Sequence, residues 1–216
     1  MKQNNYKYDA IIFDFDGVLV ESVDVKTKAF AKLYAEYGEE IVKKVVEYHL
    51  KNGGISRYIK FRFFHKNFLN IDLSKEEETK LSKRFSSLVV DAVVNADWVS
   101  GAKEFLETYY NKISLFVASG TPDKELKEII EKRKMGHFFI STHGTPATKS
   151  EIINSIMVKH GYQKNRVLMV GDAMADYEGA KQSGVDFVGR INGKTNVFPE
   201  STVKINNLRQ LMHLLC

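Results

Sequence analysis

The stretch Tyr8-Asp9-Ala10-Ile11-Ile12-Phe13-Asp14-Phe15-Asp16-Gly17 decides how the rest of the chain is interpreted. Ala10 to Phe13 is a continuous apolar run, which is typical of a strand buried on both faces of a parallel sheet. The run ends in two carboxylates, Asp14 and Asp16, followed by a glycine. Open α/β sheets bind their ligands at the carboxyl ends of the strands, so this pair lies where a site is expected.

Two other interpretations of this stretch deserve comparison. A buried strand that simply ends in a polar turn would also place Asp16-Gly17 after its last apolar residue. A calcium-binding EF-hand loop needs glycine at its sixth position and an oxygen donor at its fifth. Counted from Asp14, Gly17 is fourth and Val18 is fifth, which argues against calcium. The meaning of the carboxylate pair therefore depends on the segments that follow.

The 216-residue chain is 44% hydrophobic and 27% charged, an ordinary globular composition. Its length suffices for one domain with a large insertion or for two small domains. The net charge of +5 comes from basic residues interspersed with acidic ones, which argues against a nucleic-acid partner.

The sequence also predicts where the protein is found. No apolar run reaches the roughly 18 residues of a membrane-spanning helix, and the N-terminus lacks the apolar core of a signal peptide. Cys216 is the single cysteine, so no intrachain disulfide is possible. We therefore expect a cytoplasmic protein with no membrane partner.

Residues 17–97 have the apolar spacing of helices. Four helices are predicted there, over about 25–37, 41–50, 55–69 and 74–95, the last with a capping box between Ser74 and Glu77. Their apolar stripes are typical of a helix-bundle core. We predict that 17–97 is a helical cap domain, inserted directly after the first strand.

From residue 98 onward, short apolar runs alternate with helical segments. The predicted strands lie at 113–118, 138–140, 167–170, 187–188 and 203–205. Such alternation predicts an α/β fold, with a Rossmann-like parallel sheet flanked by helices. Residues 1–16 and 98–216 are expected to form this core domain.

Polar clusters follow three of the predicted strands, at Asp14/Asp16, at Ser119-Gly120-Thr121 and at Asp172. Because the carboxyl ends of parallel strands share one edge, these clusters can meet there. A turn residue or a helix cap is an ordinary explanation for each of them taken singly. Only their coincidence favours a site.

Lys149 and Asp176 join this set by position on helices. Lys149 would begin a helix capped by Thr148, where a cation opposes the helix dipole by about 0.3–1 kcal/mol. A facing anion would explain it, although a lone lysine usually points into water. Asp176 lies one helical turn after Asp172, on the same helix face, although an ordinary solvated face would also explain it.

Residues of these types predict a site for a cation and a phosphoryl group. Carboxylates favour a hard cation, and Mg²⁺ suits a site that combines few protein ligands with phosphate and water. Ser119, the backbone N–H of Gly120 and Lys149 offer donors and positive charge to phosphoryl oxygens. One aspartate of the first pair can attack phosphorus while the other moves a proton.

Together these segments resemble the haloacid dehalogenase superfamily, specifically the phosphatase-like members with a helical cap. The four motifs occur in the family's order, at Asp14 to Ser22, Ser119, Lys149 and Gly171 to Asp176, and the resemblance covers essentially the whole chain. Many relatives have threonine at position 18 and aspartate at position 21, where this chain has valine and glutamate. Neither position carries the chemistry.

The resemblance implies a role for each residue. Asp14 would be the nucleophile that forms an aspartyl-phosphate, and Asp16 would protonate the leaving alcohol and then activate water. Mg²⁺ would be held by the Asp14 carboxylate, the backbone carbonyl of Asp16 and the Asp172 carboxylate. The phosphoryl group would be bound by Ser119, Gly120 and Lys149. Asp176 would orient Lys149 or a water.

Asp16 and the cap narrow the choice within the superfamily. Its dehalogenases and phosphonate hydrolases lack the second aspartate, whereas phosphatases and sugar-phosphate mutases keep it. The basic segment 53–60 is similar to the substrate-recognition loop of β-phosphoglucomutase-like caps, and makes Arg57 and Lys60 candidate substrate contacts. A solvated basic face explains these two residues about as well.

The leading prediction is a Mg²⁺-dependent phosphomonoester hydrolase in the group of β-phosphoglucomutases and phosphoglycolate phosphatases. Its partner would be a small phosphorylated metabolite, with a sugar phosphate favoured, and the protein would be a monomer or a weak homodimer. A β-phosphoglucomutase-like mutase and a non-catalytic module that binds a phosphorylated ligand are the alternatives.

Overall fold

A computed structural model describes residues 6–192 and 196–215; Cys216 lies outside the described residues. One parallel sheet is built from β1 (Ala10–Phe13), β2 (Ser114–Pro122), β3 (Ser141–Thr145), β4 (Val167–Gly171), β5 (Asp186–Arg190) and β6 (Val203–Ile205). The strand order is β3-β2-β1-β4-β5-β6. From the central β1 the chain builds outward first to one side and then to the other. The crevice at the end of β1 is therefore the switch point at which such sheets bind ligands.

The segment after β1 is helical, as predicted. It contains α1 (Val23–Leu33), α2 (Glu39–Lys51), α3 (Arg57–Phe64) and α4 (Lys75–Asn95). A 3₁₀ turn, Ala35–Tyr37, follows α1, and a π-helical turn, His65–Leu69, follows α3, so both helices are shorter than predicted. The predicted capping box between Ser74 and Glu77 is present.

Aromatic side chains fill the centre of this helical segment. Phe30, Phe61, Phe64 and Phe85 are buried and contact one another at ring-centroid distances of 4.4–6.1 Å. The two connections to the sheet run side by side, because the N–H of Glu21 donates to the carbonyl of Asp97 at 2.9 Å. The boundaries of a separate cap domain at 17 and 97 stay a prediction.

Helices cover both faces of the sheet. Successive residues of β1 face opposite sides, so Ile11 and Phe13 pack in one cluster with α5 (Ala102–Tyr109), α6 (Asp123–Lys132) and α9 (Leu208–Met212). Ala10 and Ile12 pack in the other with α7 (Lys149–His160) and α8 (Met174–Ser183). The predicted α/β sheet flanked by helices is confirmed. None of the helices in the described ranges is long and apolar enough to cross a membrane.

Two local predictions were wrong. The strand predicted at 138–140 is a 3₁₀ turn, Gly136–Phe138, followed by an extended link. Phe138 and Phe139 form an apolar run because their side chains pack into the core outside any strand. The strand that pairs with β2 is instead the polar stretch Ser141–Thr145 at the sheet edge. The strand predicted at 113–118 is β2, which runs from Ser114 through Pro122, so that α6 begins at Asp123.

Candidate active site

Asp14 lies at the carboxyl end of β1 and is 2% exposed. Its backbone N–H donates to the carbonyl of Val170 in β4 at 2.8 Å, which holds the residue at the switch point. Its Oδ1 accepts a hydrogen bond from Nζ of Lys149 at 2.7 Å. The same ammonium donates to the carbonyl of Ala118 at 2.6 Å and forms an ion pair with Asp176 at 2.7 Å. Lys149 thus faces anions at the start of α7, where the helix dipole alone would disfavour it.

Three carboxylates share this corner with one ammonium. One oxygen each from Asp14, Asp172 and Asp176 lies within 4.8 Å of the others. Burial raises the pKa of Asp14 and of Asp172, and repulsion between the carboxylates adds to the shift, although Lys149 opposes it. The excess negative charge and the all-oxygen donors fit a hard divalent cation such as Mg²⁺.

Gly17 permits the close approach of Asp172. Its φ is +74°, a conformation that side-chain-bearing residues rarely adopt, and a Cβ there would lie 2.1 Å from Oδ2 of Asp172. Arg190 fixes the same turn, donating to the carbonyl of Gly17 at 2.9 Å and pairing with Glu21 at 2.6 Å. The turn after β1 is therefore held against the carboxylate cluster.

The Asp16 side chain points to different partners from those of Asp14. Its Oδ1 accepts from Ser22 at 2.6 Å, and its Oδ2 accepts from Lys26 at 2.5 Å and from Thr121 at 3.1 Å. Burial alone would raise the pKa of Asp16, but the Lys26 ammonium and these hydrogen bonds lower it. The Asp16 carboxylate is therefore occupied by these three side chains. The contribution of the Asp16 backbone carbonyl to a metal site stays a prediction.

Ser119 and Gly120 lie beside Asp16 at the end of β2. Ser119 is buried, its Oγ accepts from the N–H of Thr121 at 3.1 Å, and it lies 3.5 Å from Oδ2 of Asp16. A Cβ on Gly120 would lie 2.5 Å from the carbonyl oxygen of Gly54, so only glycine allows the cap loop to rest there. The cap therefore closes directly over the predicted phosphate-binding loop.

Two polar residues of this site were not identified from the sequence. Lys26, on α1, contacts both Asp16 and the hydroxyl of Thr121, the latter at 2.7 Å. Nothing distinguishes Lys26 from the other lysines of α1 except its position in three dimensions. Thr121 was placed in the polar cluster after the strand without a role of its own, whereas it is part of β2 and its hydroxyl donates to Asp16.

The two cap residues proposed as substrate contacts are buried, at 4% exposure for Arg57 and 2% for Lys60, so the solvated-face interpretation is wrong. Arg57 makes a two-pronged contact with Glu125 of α6, one prong at 2.9 Å, and also donates to Ser86 at 3.0 Å. Its guanidinium joins the cap to the core and is already occupied.

Lys60 has a different environment. Its Nζ lies 2.8 Å from Nδ1 of His49, on α2. Both residues line a cavity of about 120 Å³ between the cap and the strand ends, with Asp14, Asp16 and Asp172 on its opposite wall. The two walls together form an enclosed space with charged groups on both sides.

Comparisons with known proteins agree with this architecture. Residues 11–190 match the family described as haloacid dehalogenase-like hydrolase. A phosphoglycolate phosphatase from Aliivibrio fischeri is 25% identical over 191 residues, covering 81% of this chain and 80% of that protein.

Solved structures have the same fold at low identity. A β-phosphoglucomutase from Clostridium difficile superposes with a TM-score of 0.76 at 20% identity, covering 94% of this chain and 93% of the other. A Bacillus subtilis protein assigned to the HAD-hydrolases, solved with bound magnesium, gives a TM-score of 0.72 at 14% identity, covering 96% and 98%.

Proposed function

The chain belongs to the haloacid dehalogenase-like hydrolase family and is a phosphatase-type enzyme, and we propose that it hydrolyses a small phosphomonoester with Mg²⁺, through an aspartyl-phosphate on Asp14. The observation that carries the proposal is the corner of the cavity where Asp14 contacts Lys149 and lies with Asp172 and Asp176 within 4.8 Å. Asp14 is a buried nucleophile beside the Lys149 ammonium, and the excess of carboxylates fits a divalent cation. Both positive charges would favour attack on an anionic phosphate.

In the first step an Asp14 oxygen forms a bond to phosphorus and the bond to the leaving oxygen breaks. The electron pair of that bond stays on the leaving oxygen, which takes a proton from Asp16 and departs as an alcohol. At present Oδ2 of Asp16 is occupied by Lys26 and Thr121. Proton delivery therefore requires this contact to exchange for the leaving oxygen.

In the second step water attacks the phosphorus of the aspartyl-phosphate. Asp16 accepts a proton from that water, the bond between phosphorus and Asp14 breaks, and inorganic phosphate is released. Lys26 stabilises the Asp16 carboxylate, which is the form that accepts a proton. The same carboxylate thus serves both steps in opposite protonation states.

The remaining residues balance charge. Asp14, Asp172 and the Asp16 backbone would hold Mg²⁺, which when bound offsets negative charge on the phosphoryl oxygens. Lys149 supplies a fixed positive charge beside the nucleophile, and Asp176 holds it there through the 2.7 Å ion pair. Ser119 and the Gly120 N–H, near the end of β2, would donate to the phosphoryl group.

The substrate class can be approached from two directions. Resemblance of segment 53–60 to β-phosphoglucomutase-like caps favours a sugar phosphate. The relatives named phosphoglycolate phosphatases favour a phosphorylated acid. Both are small phosphomonoesters, and both belong in the first screen.

Phosphate release over a panel of metabolites tests the proposal. We expect release that requires Mg²⁺, stops with a chelator, and falls on the order of 10⁴-fold or more in Asp14→Asn, because a missing nucleophile removes the first step. Asp91→Asn, which changes the exposed Asp91 on α4, should retain activity and serves as the matched control. Full activity in Asp14→Asn would overturn the aspartyl-phosphate.

The same screen separates the alternatives. Isomerisation of a hexose 1-phosphate, faster than its hydrolysis and activated by a bisphosphate, would assign a mutase. Saturable binding of a phosphorylated ligand without any phosphate release would assign a non-catalytic binding module.

A further inference from the structure

Lys26, Lys51 and Lys60 line the cavity, and Lys149 contacts Asp14 in its wall. Lys51 is exposed to solvent, and among the other three lysines Lys60 differs from the rest. Lys149 contacts Asp14 and Asp176, and Lys26 contacts Asp16. Lys60 is 2% exposed, yet among residues 6–192 and 196–215 no carboxylate lies within ion-pair distance of its ammonium. A buried ammonium without an anion is unfavourable unless a partner arrives from outside the chain.

His49 carries a second unmet hydrogen-bonding group at the same place. Lysine can only donate, so Nδ1 of His49 must accept from Lys60, and the ring proton of the neutral imidazole lies on Nε2. That Nε2 is buried and has no hydrogen-bond partner among residues 6–192 and 196–215. Lys60 and His49 therefore offer two hydrogen-bond donors on this side of the cavity.

The side chains around the Lys60 ammonium are mainly aromatic and give it no counter-ion. The Lys60 ammonium lies 5.6 Å from the centre of the Phe30 ring, and Phe85 lines the same wall. Of the other cap-side cations that line the cavity, Arg57 is neutralised by Glu125 and Lys51 is exposed to solvent. Lys60 is therefore the buried cap-side cation whose charge remains available, opposite the predicted phosphoryl site.

Resting on the proposed function, we propose that Lys60 and His49 form a subsite for a carboxylate on the alcohol portion of the substrate. The substrate class would be phosphomonoesters of hydroxy acids. A carboxylate has one negative charge and two acceptor oxygens, which match one ammonium and one imidazole N–H. A neutral hydroxyl would leave the ammonium uncompensated, and a second phosphate would bring more charge than this wall can balance.

The protonation of Lys60 is consistent with a vacant anion subsite. Burial, and secondarily the Lys26 ammonium, lower the pKa of Lys60 to about 7, while Asp16 and Asp172 oppose the shift. A bound carboxylate would favour the charged lysine. The subsite therefore gains its charge partner only together with the substrate.

Binding to matched pairs of phosphate esters tests the proposal. The pairs are 2-phosphoglycolate with ethyl phosphate, and 3-phosphoglycerate with glycerol 3-phosphate, which differ only in the carboxylate. Dissociation constants would be measured by calorimetry in an Asp14→Asn background, so that no ester is consumed, and kcat/KM would be measured in the native chain. We expect a carboxylate preference of roughly 10- to 100-fold in at least one pair, the range typical of a hydrogen bond to a charged group.

Variants assign the preference to residues. Lys60→Met should reduce it to about onefold, mainly through Kd and KM, and His49→Phe should reduce it partly. Lys43→Met removes the same charge from an exposed site on α2 and should keep the preference. Lys60→Gln provides a second variant at the same position.

The outcomes are distinguishable. Absence of a carboxylate preference in both pairs, or a preference that survives both Lys60 variants, would overturn the subsite. A Lys60-dependent preference in binding, without phosphate release from any ester, would support the subsite and overturn the proposed hydrolysis instead.

Discussion

Lys60 lines the cavity from the cap side, and Lys149 contacts Asp14, which lines the same cavity from the strand ends. The two lysines are 6% (Lys149) and 2% (Lys60) exposed, and their pKa values are shifted in opposite directions. Burial lowers the pKa of both. For Lys149 the carboxylates of Asp14 and Asp176 outweigh burial and raise the pKa, whereas the pKa of Lys60 stays lowered to about 7. Within the described residues, Lys149 has two carboxylates as counter-ions and Lys60 has none within ion-pair distance. The difference indicates that the first lysine is part of a finished network and the second awaits a ligand.

Removing Lys149 should have the largest effect. Lys149→Met leaves Asp14 and Asp176 buried without their cation, so we expect a loss of about 3–5 kcal/mol in the free energy of unfolding. Phosphate release should also fall by at least about 100-fold, because the positive charge beside the nucleophile is gone. Urea unfolding in metal-free buffer and a phosphate-release assay measure the two effects. Lys159→Met, at an exposed position on the same helix, is the control; equal stability of both variants would contradict the account.

Arg57 is the cap-side cation that the chain does neutralise, and the next largest effect is expected there. Glu125→Gln leaves a buried guanidinium without its charge partner and should destabilise the protein by about 3 kcal/mol. The double variant Arg57→Met/Glu125→Leu removes both charges, so its stability should return to near that of the parent. Urea unfolding of the two variants side by side gives the answer. A double variant as unstable as Glu125→Gln would show that packing, and not charge, is responsible.

Lys60→Met should act in the opposite direction to Lys149→Met. The folded-state pKa of Lys60 is about 7, below the ordinary 10.5, so its charge opposes folding fully below pH 7 and progressively less as the pH rises toward 10.5. We expect Lys60→Met to stabilise the ligand-free protein by about 2 kcal/mol at pH 6, with a smaller gain at pH 9. Thermal unfolding at the two pH values measures this, with Lys43→Met as control. A loss of stability at pH 6 would refute an uncompensated charge at this position.

His49 gives the smallest effect, and only in acid. Burial, and then the Lys60 ammonium, lower its pKa from 6.5 to about 3; Lys26 adds to this shift and Asp16 opposes it. Below pH 6.5 the unfolded chain binds a proton that the folded chain does not, so the contribution of neutral His49 to stability declines as pH falls toward 3. Between pH 7.5 and pH 5.5 the native chain should lose about 1 kcal/mol more than His49→Gln, which keeps an acceptor for Lys60. An equal change in the free energy of unfolding between pH 7.5 and pH 5.5 in the two proteins would contradict this.

Sequence alone determined the features that depend on local pattern. The apolar run 10–13 predicted β1, Ser74 and Glu77 predicted the start of α4, and strand ends predicted where Asp14, Ser119 and Asp172 would gather. These predictions succeed because periodicity and capping act within a few residues, and because parallel strands end at a common edge.

Only the tertiary structure decided which charges meet. Arg57 and Glu125 are 68 positions apart, and Lys26 and Thr121 are 95 apart, so no local pattern could pair them. The same holds for Lys60. The sequence around it is equally typical of a solvated lysine, and only the structure shows that its ammonium is buried against Phe30 and His49. Long side chains reach several ångströms from their backbone, and the fold sets whether an anion, an imidazole or water lies at the end of that reach.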